Sequence, residues 1–476
     1  MSTSELTPTA QPRTGLAAAS MGGAEVLAQS VAGIAPSAVM ATGPALVAIG
    51  AGDAILYSYL ASTVILLMVG WCIAQFTRSH GGGTLLSHIT SAFGPGAGFL
   101  GAVGLVFGYA FIAISSIAGF TIYATPLLEL AGVPGTASTA VAVLLEVLVA
   151  VLAAYAMIRG VQLSTRVGVA LELVSITAIL VVVVAVLVKF GLPSAPLHPA
   201  GLGVDGITGG MVLAILGYVG FESAACMSTE AREPQRTVPR AVLGSALIAA
   251  VLYLISAYAQ LVGFGSGDAI TASSAPLNDL ADTGGVHPLG YLVDLGAAAS
   301  FFACVTGSLN AASRLVFAMG DTPLLHRSLA VAHPIRQTPH LAIGLLSGLC
   351  GLIAVVMTVS GVEVVNVFAY AGTIGTYGYM VAYILISLGI AVHLRRTASP
   401  IGAAVVVGGL AALGMLYVLF RNVYPVPAAP YSALPWIFLA VLVGAALWYA
   451  VVRSRGWVVD VAAAERAEAQ AESRDS

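Results

Sequence analysis

The chain has 476 residues, of which 59% are hydrophobic and only 8% are charged, and its formal net charge is −3 at pH 7. Soluble proteins carry roughly a quarter charged residues, so this composition excludes a soluble globular domain. We also expect no nucleic-acid partner. The composition instead predicts a protein whose solvent is the lipid bilayer.

About twelve apolar segments are long enough to cross a bilayer, which takes about 20 residues of helix. They are apolar throughout rather than at alternate positions, which indicates helices and not the strands of a membrane barrel. The predicted fold class is therefore an all-α polytopic membrane protein. Numbered 1 to 12 in chain order, the segments are residues 25–49, 54–76, 98–128, 138–158, 166–190, 208–231, 238–264, 288–320, 339–361, 363–394, 401–420 and 432–453.

The two ends of the chain are polar. Residues 1–24 are rich in Ser, Thr and Pro without the apolar core of a secretory signal, and residues 454–476 are charged. We predict two cytoplasmic tails, the first of them disordered. With twelve crossings, nearly all arginines then fall on the inside, whereas Lys189 and Arg421 fall outside. The protein is predicted to lie in a cytoplasmic membrane, and its preference for Arg over Lys suggests a GC-rich bacterial genome.

Segments 1 and 6 each contain helix-breaking residues near their middle. In lipid, the backbone groups that a break exposes have no partner, so breaks persist where protein or a water-filled cavity surrounds them. Segments 1 and 6 hold the same position in two consecutive five-helix units, residues 25–190 and 208–394. Because five is odd, the second unit is inverted, and paired breaks in an inverted repeat indicate a central solute site. Residues 401–453 then form two additional helices.

The chemistry of the two breaks predicts the kind of solute. Pro36 suits the first turn of a half-helix, so amides around residues 35–38 would attract an anion such as a carboxylate. Carbonyl groups around residues 214–218 would attract an amine. A site with both ends favours an amino acid, although the glycines alone are also consistent with close helix packing. The predicted solute-binding residues are Gly33, Ile34, Ala35, Pro36, Ser37, Tyr109, Leu216, Gly217, Tyr218, Gly220 and Phe221.

Three motifs resemble those of the amino acid–polyamine–organocation permeases. They are "GFES" followed by "EAREPQRTVPRAV" (230–242), the stretch 313–342 beginning "SRLVFAMGDTPLLHRS", and "HGGGTLLSHITSAFGPGAGFLGA" (80–102). The resemblance spans roughly residues 25–455. It implies the LeuT-like five-plus-five inverted repeat with two extra C-terminal helices. It also implies a solute bound by unwound backbone between segments 1, 3, 6, 8 and 10, and transport by alternating access.

This chain departs from the family pattern at both breaks. The family often has Gly-Ser-Gly-Ile at the first break, where this chain has residues 31–34 as Val-Ala-Gly-Ile. The family also often has an aromatic residue six positions before the segment-6 glutamate. Here that position is Leu216, with Tyr218 and Phe221 nearby. The size and chemistry of the solute are therefore left open.

Energy coupling is a further point of departure. Many relatives have a lysine in segment 5, where the alignment places Ser175. A serine there could join carbonyl groups near Ala32 and the hydroxyls of Thr306 or Ser308 in a sodium site. The alternative for Thr306 and Ser308 is packing or bonding back to their own helix. The candidate coupling ions are H+ and Na+.

Acidic residues inside a membrane are costly and call for an explanation. Glu222 follows the second break directly, so it is predicted to be a proton-linked or gating residue or a brace for the unwound segment. Glu146 and Glu172 have no matching break, and an inter-helix hydrogen bond is favoured for both. Tyr370, Thr373, Thr376 and Tyr377 of segment 10 line the pathway or pack.

The predicted function is secondary active transport of an amino acid, coupled to an ion or exchanging one solute for another. The alternatives are a carrier of polyamine, ethanolamine or another organocation, and a nutrient sensor derived from a transporter. The sequence offers no cluster of catalytic acids, no histidine pair at metal-binding spacing and no Walker motif. We therefore expect no enzymatic activity, no cofactor and no bound metal apart from a coupling ion. The oligomeric state is left open.

Overall fold

A computed structural model describes residues 21–80, 83–159, 161–199, 202–226, 228, 231–273, 275–320, 322–397 and 400–455. This part of the chain is helical, with one isolated bridge between Met21 and Ala231. The α-helices are α1 (Gly23–Ile34), α2 (Pro36–Ala51), α3 (Ile55–His80), α4 (Leu85–Phe93), α5 (Pro95–Leu130), α6 (Thr139–Arg159), α7 (Val161–Phe190), α8 (Val204–Leu216), α9 (Ser223–Cys226), α10 (Pro234–Phe264), α11 (Gly267–Ala272), α12 (Pro276–Thr283), α13 (Pro288–Gly320), α14 (His340–Val359), α15 (Val364–Arg396), α16 (Gly402–Arg421) and α17 (Leu434–Ser454).

The predicted all-helical membrane class is confirmed. Among the described residues, ten stretches are long and apolar enough to cross a membrane. Segment 1 consists of α1 and α2, which meet at Ala35, and segment 6 consists of α8, a run of turns and α9. α1 and α8 are too short to count as spans because a break interrupts each of them. The other predicted segments each correspond to one continuous helix.

Proline inside a membrane helix leaves a carbonyl without its usual partner, and α2 shows how this chain compensates. Pro44 lies in α2 and has no N–H to donate to the carbonyl of Met40. From α10, the hydroxyl of Ser256 donates to that carbonyl at 2.8 Å and the amide of Gln260 donates to it at 2.9 Å. The second half of segment 1, α2, is thereby fixed to α10 by groups that lipid could not supply.

Glycines set the distance between α5 and α15. A Cβ atom added to Gly378 of α15 would lie 2.2 Å from the carbonyl oxygen of Gly104 on α5. One added to Gly375 would lie 3.2 Å from the carbonyl oxygen of Gly108. Gly104 and Gly108 are four residues apart, so both lie on one face of α5, which is the small-xxx-small arrangement of close membrane helices. These two helices therefore form a tightly packed pair.

Contacts between helix ends agree with alternating crossings. Arg421 at the end of α16 lies 3.1 Å from Asp205 at the start of α8, and both ends are predicted to be on one side. Arg396 at the end of α15 donates to the carbonyl of Ser91 in α4 at 2.7 Å, on the predicted opposite side. Which of these sides faces the cytoplasm stays a prediction.

Most of the two predicted tails lies outside the described residues, which begin at residue 21 and end at residue 455. Within the predicted tail 1–24, Met21 is buried, and its carbonyl accepts a hydrogen bond from the Arg232 amide at 3.1 Å. The last residues before α1 are thus fixed to the chain that follows α9, rather than disordered as predicted.

We expect Gly378→Ala to destabilise the protein by about 1–3 kcal/mol, because the new methyl group would overlap the Gly104 carbonyl and overpack the α5–α15 contact. Thermal unfolding of the purified protein in detergent measures this. The control is Gly409→Ala on α16, where no atom lies within 4 Å of the added methyl. Equal unfolding midpoints for the two variants would contradict the packing described here.

Candidate functional site

The breaks of segments 1 and 6 touch each other. A Cβ atom added to Gly220 would lie 2.5 Å from the carbonyl oxygen of Gly33, and Gly220 has φ +107°. L-residues with a side chain rarely adopt this conformation. A Cβ atom added to Gly33 would in turn lie 3.2 Å from the carbonyl oxygen of Gly220. The structure therefore brings together these two glycines, which the sequence analysis had singled out separately.

Ser30 joins the two breaks by hydrogen bonds. Its hydroxyl donates to the carbonyl of Phe221 at 2.9 Å and accepts from the amide of Ala224 at 3.2 Å. From α13, the thiol of Cys304 donates to the carbonyl of Gly33 at 3.4 Å. The backbone groups freed by the breaks are thus satisfied by neighbouring helices, as a lipid environment requires.

The first break is a single residue in a left-handed conformation. Ala35 has φ 51° and ψ 62°, and its amide donates to the carbonyl of Val31 at 3.1 Å, which ends α1. Pro36 then begins α2 at the position where its missing N–H is no loss. A positive φ at a residue other than glycine is uncommon and concentrates at functional sites.

The amides at the start of α2 are not free, which corrects the sequence prediction of an open anion site. The amide of Ser37 donates to Oε1 of Glu172 at 2.7 Å, and the amide of Ala38 donates to the hydroxyl of Ser300 at 3.4 Å. Glu172 comes from α7 and Ser300 from α13. The predicted carboxylate position therefore already contains a carboxylate, and it belongs to the protein.

Several carbonyl groups at the end of α8 are also occupied. The carbonyl of Gly217 accepts from the hydroxyl of Tyr253 on α10 at 2.6 Å. The carbonyl of Ile215 accepts from the amide of Tyr218 at 2.9 Å. The hydroxyl of Tyr218 lies 2.7 Å from that of Thr63 on α3, so its side chain packs between α3 and α10. The side chain of Tyr218 therefore lies on the side of the break that faces α3 and α10.

Leu216 and Phe221 take different positions. Leu216 is partly buried, and its Cδ2 atom lies 2.9 Å from the place where a Cβ atom on Gly372 would stand. This side chain therefore lies against α15 at the level of the break. Phe221 is fully buried, with its ring centroid 5.6 Å from that of Tyr383.

Glu222 accepts hydrogen bonds from three groups. The hydroxyl of Tyr109 on α5 donates to Oε1 at 2.7 Å, and that of Tyr383 on α15 donates to Oε2 at 2.5 Å. The amide of Gly220 also donates to Oε2, at 3.1 Å. Glu222 is fully buried. Its carboxyl group ties the second break to both helices of the tightly packed α5–α15 pair.

Of the residues proposed for a sodium site, Ser175 lies apart from the others in this structure. Ser175 lies against Gly296, where its Oγ is 2.1 Å from the position of an added Cβ atom. Thr306 is ten residues further along α13, which at 1.5 Å per residue is about 15 Å along the axis. The hydroxyl of Thr306 bonds back to the carbonyl of Ala303 at 2.9 Å. Ser308 lies still further along, 3.9 Å from the thiol of Cys304, and that thiol donates to the carbonyl of Gly33, the residue next to Ala32 in α1.

Glu146 makes the inter-helix hydrogen bond expected of it, accepting from Thr358 of α14 at 2.7 Å. Glu172 also makes an inter-helix hydrogen bond, from the Ser37 amide of α2. This bond lies directly at the first break, a location that was not predicted from the sequence. Tyr383 and Ser300 were also missed. The available signal for Glu172 was an acid inside an apolar segment, whereas nothing in the sequence marks Tyr383 or Ser300.

An all-helical membrane protein whose two broken helices meet beside buried polar groups has the architecture of a secondary transporter. Sequence comparison identifies the family: residues 15–447 match the family described as amino acid permease. The chain belongs to this family and is a multi-pass membrane transporter.

Two relatives and one solved structure illustrate the similarity. The branched-chain amino acid permease BcaP of Lactococcus lactis subsp. cremoris (strain MG1363) is 28% identical over 84% of this chain and 87% of its own. The methylthioribose transporter of Bacillus subtilis (strain 168) is 26% identical over 61% of this chain and 65% of its own. A Na+-coupled sialic acid symporter, solved in a substrate-bound outward-open state, superposes with a TM-score of 0.51 at 12% identity. The superposition covers 84% of this chain and 89% of that one, and it shows the LeuT-type inverted-repeat fold.

We expect Tyr383→Phe to destabilise the protein by about 1.5–3 kcal/mol, because Glu222 would lose a donor in a fully buried position. The matched control is Tyr379→Phe, one turn away on α15, since the hydroxyl of Tyr379 has no partner among the described residues. Thermal unfolding in detergent compares the two variants. A loss of stability in Tyr379→Phe as large as that in Tyr383→Phe would count against the role given to the Glu222 hydrogen bond.

Proposed function

We propose that the protein is a secondary active transporter for a small solute with an amino group, which it moves across the cytoplasmic membrane by alternating access. Transport is coupled to H+ or Na+ or proceeds by exchange. Both termini face the cytoplasm in this proposal. The solute lies at the two breaks, beside the backbone of residues 33–37 and 216–221 and the side chain of Tyr109.

The observation that carries this proposal is the backbone contact between Gly33 and Gly220. It unites the two half-helix ends in the protein interior, where every polar group must be matched by another. A helix break inside the membrane costs free energy, because the backbone groups that it frees must find other partners. Packing alone does not require such a break, since two continuous helices would satisfy their own backbone groups. A junction of this kind is the arrangement from which transporters of inverted-repeat folds bind a solute.

Two observations favour different solutes. Membership of the amino acid permease family, and the name of the BcaP relative, favour an amino acid. The carboxyl group of Glu172 at the start of α2 favours an organocation, because it takes the amide that would otherwise bind a solute carboxylate. A polyamine, ethanolamine or similar amine is therefore the second candidate.

Alternating access would act on the contacts between the breaks and their neighbours. The glycine contacts of α5 and α15 make that pair a rigid support, whereas α1, α8 and α9 are short and joined by single residues or turns. Movement of the second break relative to the support requires the hydrogen bonds of Glu222 with Tyr109 and Tyr383 to break. In this proposal Glu222 is therefore a gating residue.

Uptake of radiolabelled solutes into proteoliposomes tests the function. A panel of amino acids and amines is offered with an imposed proton gradient, with a sodium gradient, and with solute preloaded inside. Saturable accumulation that collapses with one gradient, or that requires preloaded solute, is the expected result. Absence of transport for every member, in liposomes that contain folded protein, would refute the proposal.

We expect Gly220→Ala to reduce transport to the level of empty liposomes, because its methyl group would overlap the Gly33 carbonyl and its φ is unfavourable for alanine. The control is Gly244→Ala on α10, where the added methyl would meet only the side chain of Leu27, at 3.8 Å. Both variants are compared for uptake after the amount of folded protein has been equalised. Normal uptake by Gly220→Ala would show that the close backbone contact is dispensable.

A further inference from the structure

We propose that Glu172 binds the ammonium group of the transported solute, and that this solute is a primary amine without a carboxylate beside its amino group. The inference rests on the proposed transport function and specifies its substrate class. Glu172 is then a specificity-determining residue, and it fills the place that a solute carboxylate would otherwise take.

The protein leaves hydrogen-bonding capacity unused beside the start of α2. Oε1 of Glu172 accepts from the amide of Ser37, but Oε2 has no partner among the described residues. The hydroxyl of Ser37 also lacks one. The hydroxyls of Ser37 and Ser300 both lie within interaction distance of the Glu172 carboxyl group, but neither makes a well-aligned hydrogen bond to Oε2. All three residues are buried, with Glu172 3% exposed and the two serines 0%.

Buried polar atoms are nearly always paired, so unpaired ones grouped together point to a missing ligand. An ammonium group offers three donors and no acceptor. It would therefore match Oε2 of Glu172 and the oxygen of Ser37, which can both accept. A carboxylate offers acceptors alone and would meet the Glu172 oxygen with like charge.

The start of α2 has no amide left for a solute carboxylate. Ala35 donates to Val31, Pro36 has no N–H, Ser37 donates to Glu172, and Ala38 donates to Ser300. A carboxylate bound here would have to displace the one that the protein supplies. An amine needs no such displacement.

The second buried acid near the breaks is not available in the same way. Glu222 accepts from two tyrosine hydroxyls and one amide, so both of its oxygens are occupied. Of the two carboxyl groups, Glu172 is therefore the one with a free oxygen in the described structure. From sequence position alone, Glu222 was the main candidate for a functional acid and Glu172 a structural one. The hydrogen bonds make Glu172 the main candidate for binding a solute.

Basic side chains do not compensate Glu172 within the described part of its surroundings. On α7 the described basic side chain is Lys189, 17 residues further on, which is about 26 Å along the helix. On α13 it is Arg314, 14 residues from Ser300 and about 21 Å away along the axis. A charged carboxylate in the protein interior is stabilised by a cation, and a cationic solute would provide one.

Matched pairs of an amino acid and the amine left by its decarboxylation provide the test. Leucine is compared with 3-methylbutylamine, lysine with cadaverine, and serine with ethanolamine. Binding is read from ligand-induced thermal shifts in detergent and transport from competition for uptake in proteoliposomes. We expect the wild-type protein to prefer the amine of at least one pair by more than about tenfold, as one charged hydrogen bond is worth.

Glu172→Gln keeps the shape and the oxygen that accepts from Ser37 but removes the charge. We expect it to weaken amine binding on the order of 10- to 100-fold. The matched control is Glu146→Gln, which changes a buried carboxyl group of α6 bonded to Thr358 of α14 and is expected to leave the amine preference unchanged. If Glu172→Gln does not fold, Glu172→Asp retains the charge and should retain the preference for the amine over the amino acid.

The outcomes separate the two proposals. Transport of the amino acid in preference to its amine, or an amine preference that survives in Glu172→Gln, would overturn this inference while the transport function stands. A Glu172→Gln protein that loses its sodium or proton dependence but keeps its preference within each pair would also overturn it, since Glu172 would then bind the coupling ion. Failure of the wild-type protein to transport any member of the panel would instead refute the transport function itself.

Discussion

The structure depends on one constraint, which is that every backbone group freed by the two broken helices must find a partner where lipid offers none. Ser30 satisfies a carbonyl and an amide of the second break at once, and Tyr253 satisfies the carbonyl of Gly217. At the first break, Glu172 and Ser300 satisfy the amides of α2. These partners come from α1, α7, α10 and α13, so the breaks are the point at which separate helices converge.

The same constraint separates two buried carboxyl groups into different roles. Glu222 has donors on both oxygens and links the second break to α5 and α15, so it acts as a tie between a broken helix and a rigid pair. Glu172 has one oxygen engaged and one without a partner. A saturated group holds the structure together, whereas a half-engaged group can receive a ligand. Burial makes this difference energetically important, because an unmatched charge is far more costly in the protein interior than in water.

Rigid and adjustable parts of the molecule are built from the same residue type. Gly104 and Gly378 allow α5 and α15 to touch along continuous helices, which preserves all their internal hydrogen bonds. Gly33 and Gly220 allow contact where the helices are interrupted, and their hydrogen bonds run to side chains instead, from Cys304 of α13 to the Gly33 carbonyl and from the Gly220 amide to Glu222. A junction of the second kind can change partners, which is what an alternating-access cycle requires of it.

The sequence by itself determined the membrane class, the twelve segments and the location of both breaks. Apolar length is imposed by the thickness of the bilayer, and glycine and proline act on the backbone wherever they stand, so neither signal needs tertiary information. The assignment of both breaks to one site was also implied by their matching places in the two units, whereas the direct contact of Gly33 with Gly220 came from the structure. The structure alone decided that Glu172 reaches the start of α2, that Tyr383 bonds to Glu222, and that Ser175 lies far from Thr306. Those contacts depend on how each helix is rotated about its axis and shifted along it. Helices that are apolar on every side have no periodic pattern in their sequence, so the sequence does not show which face of each helix contacts its neighbours.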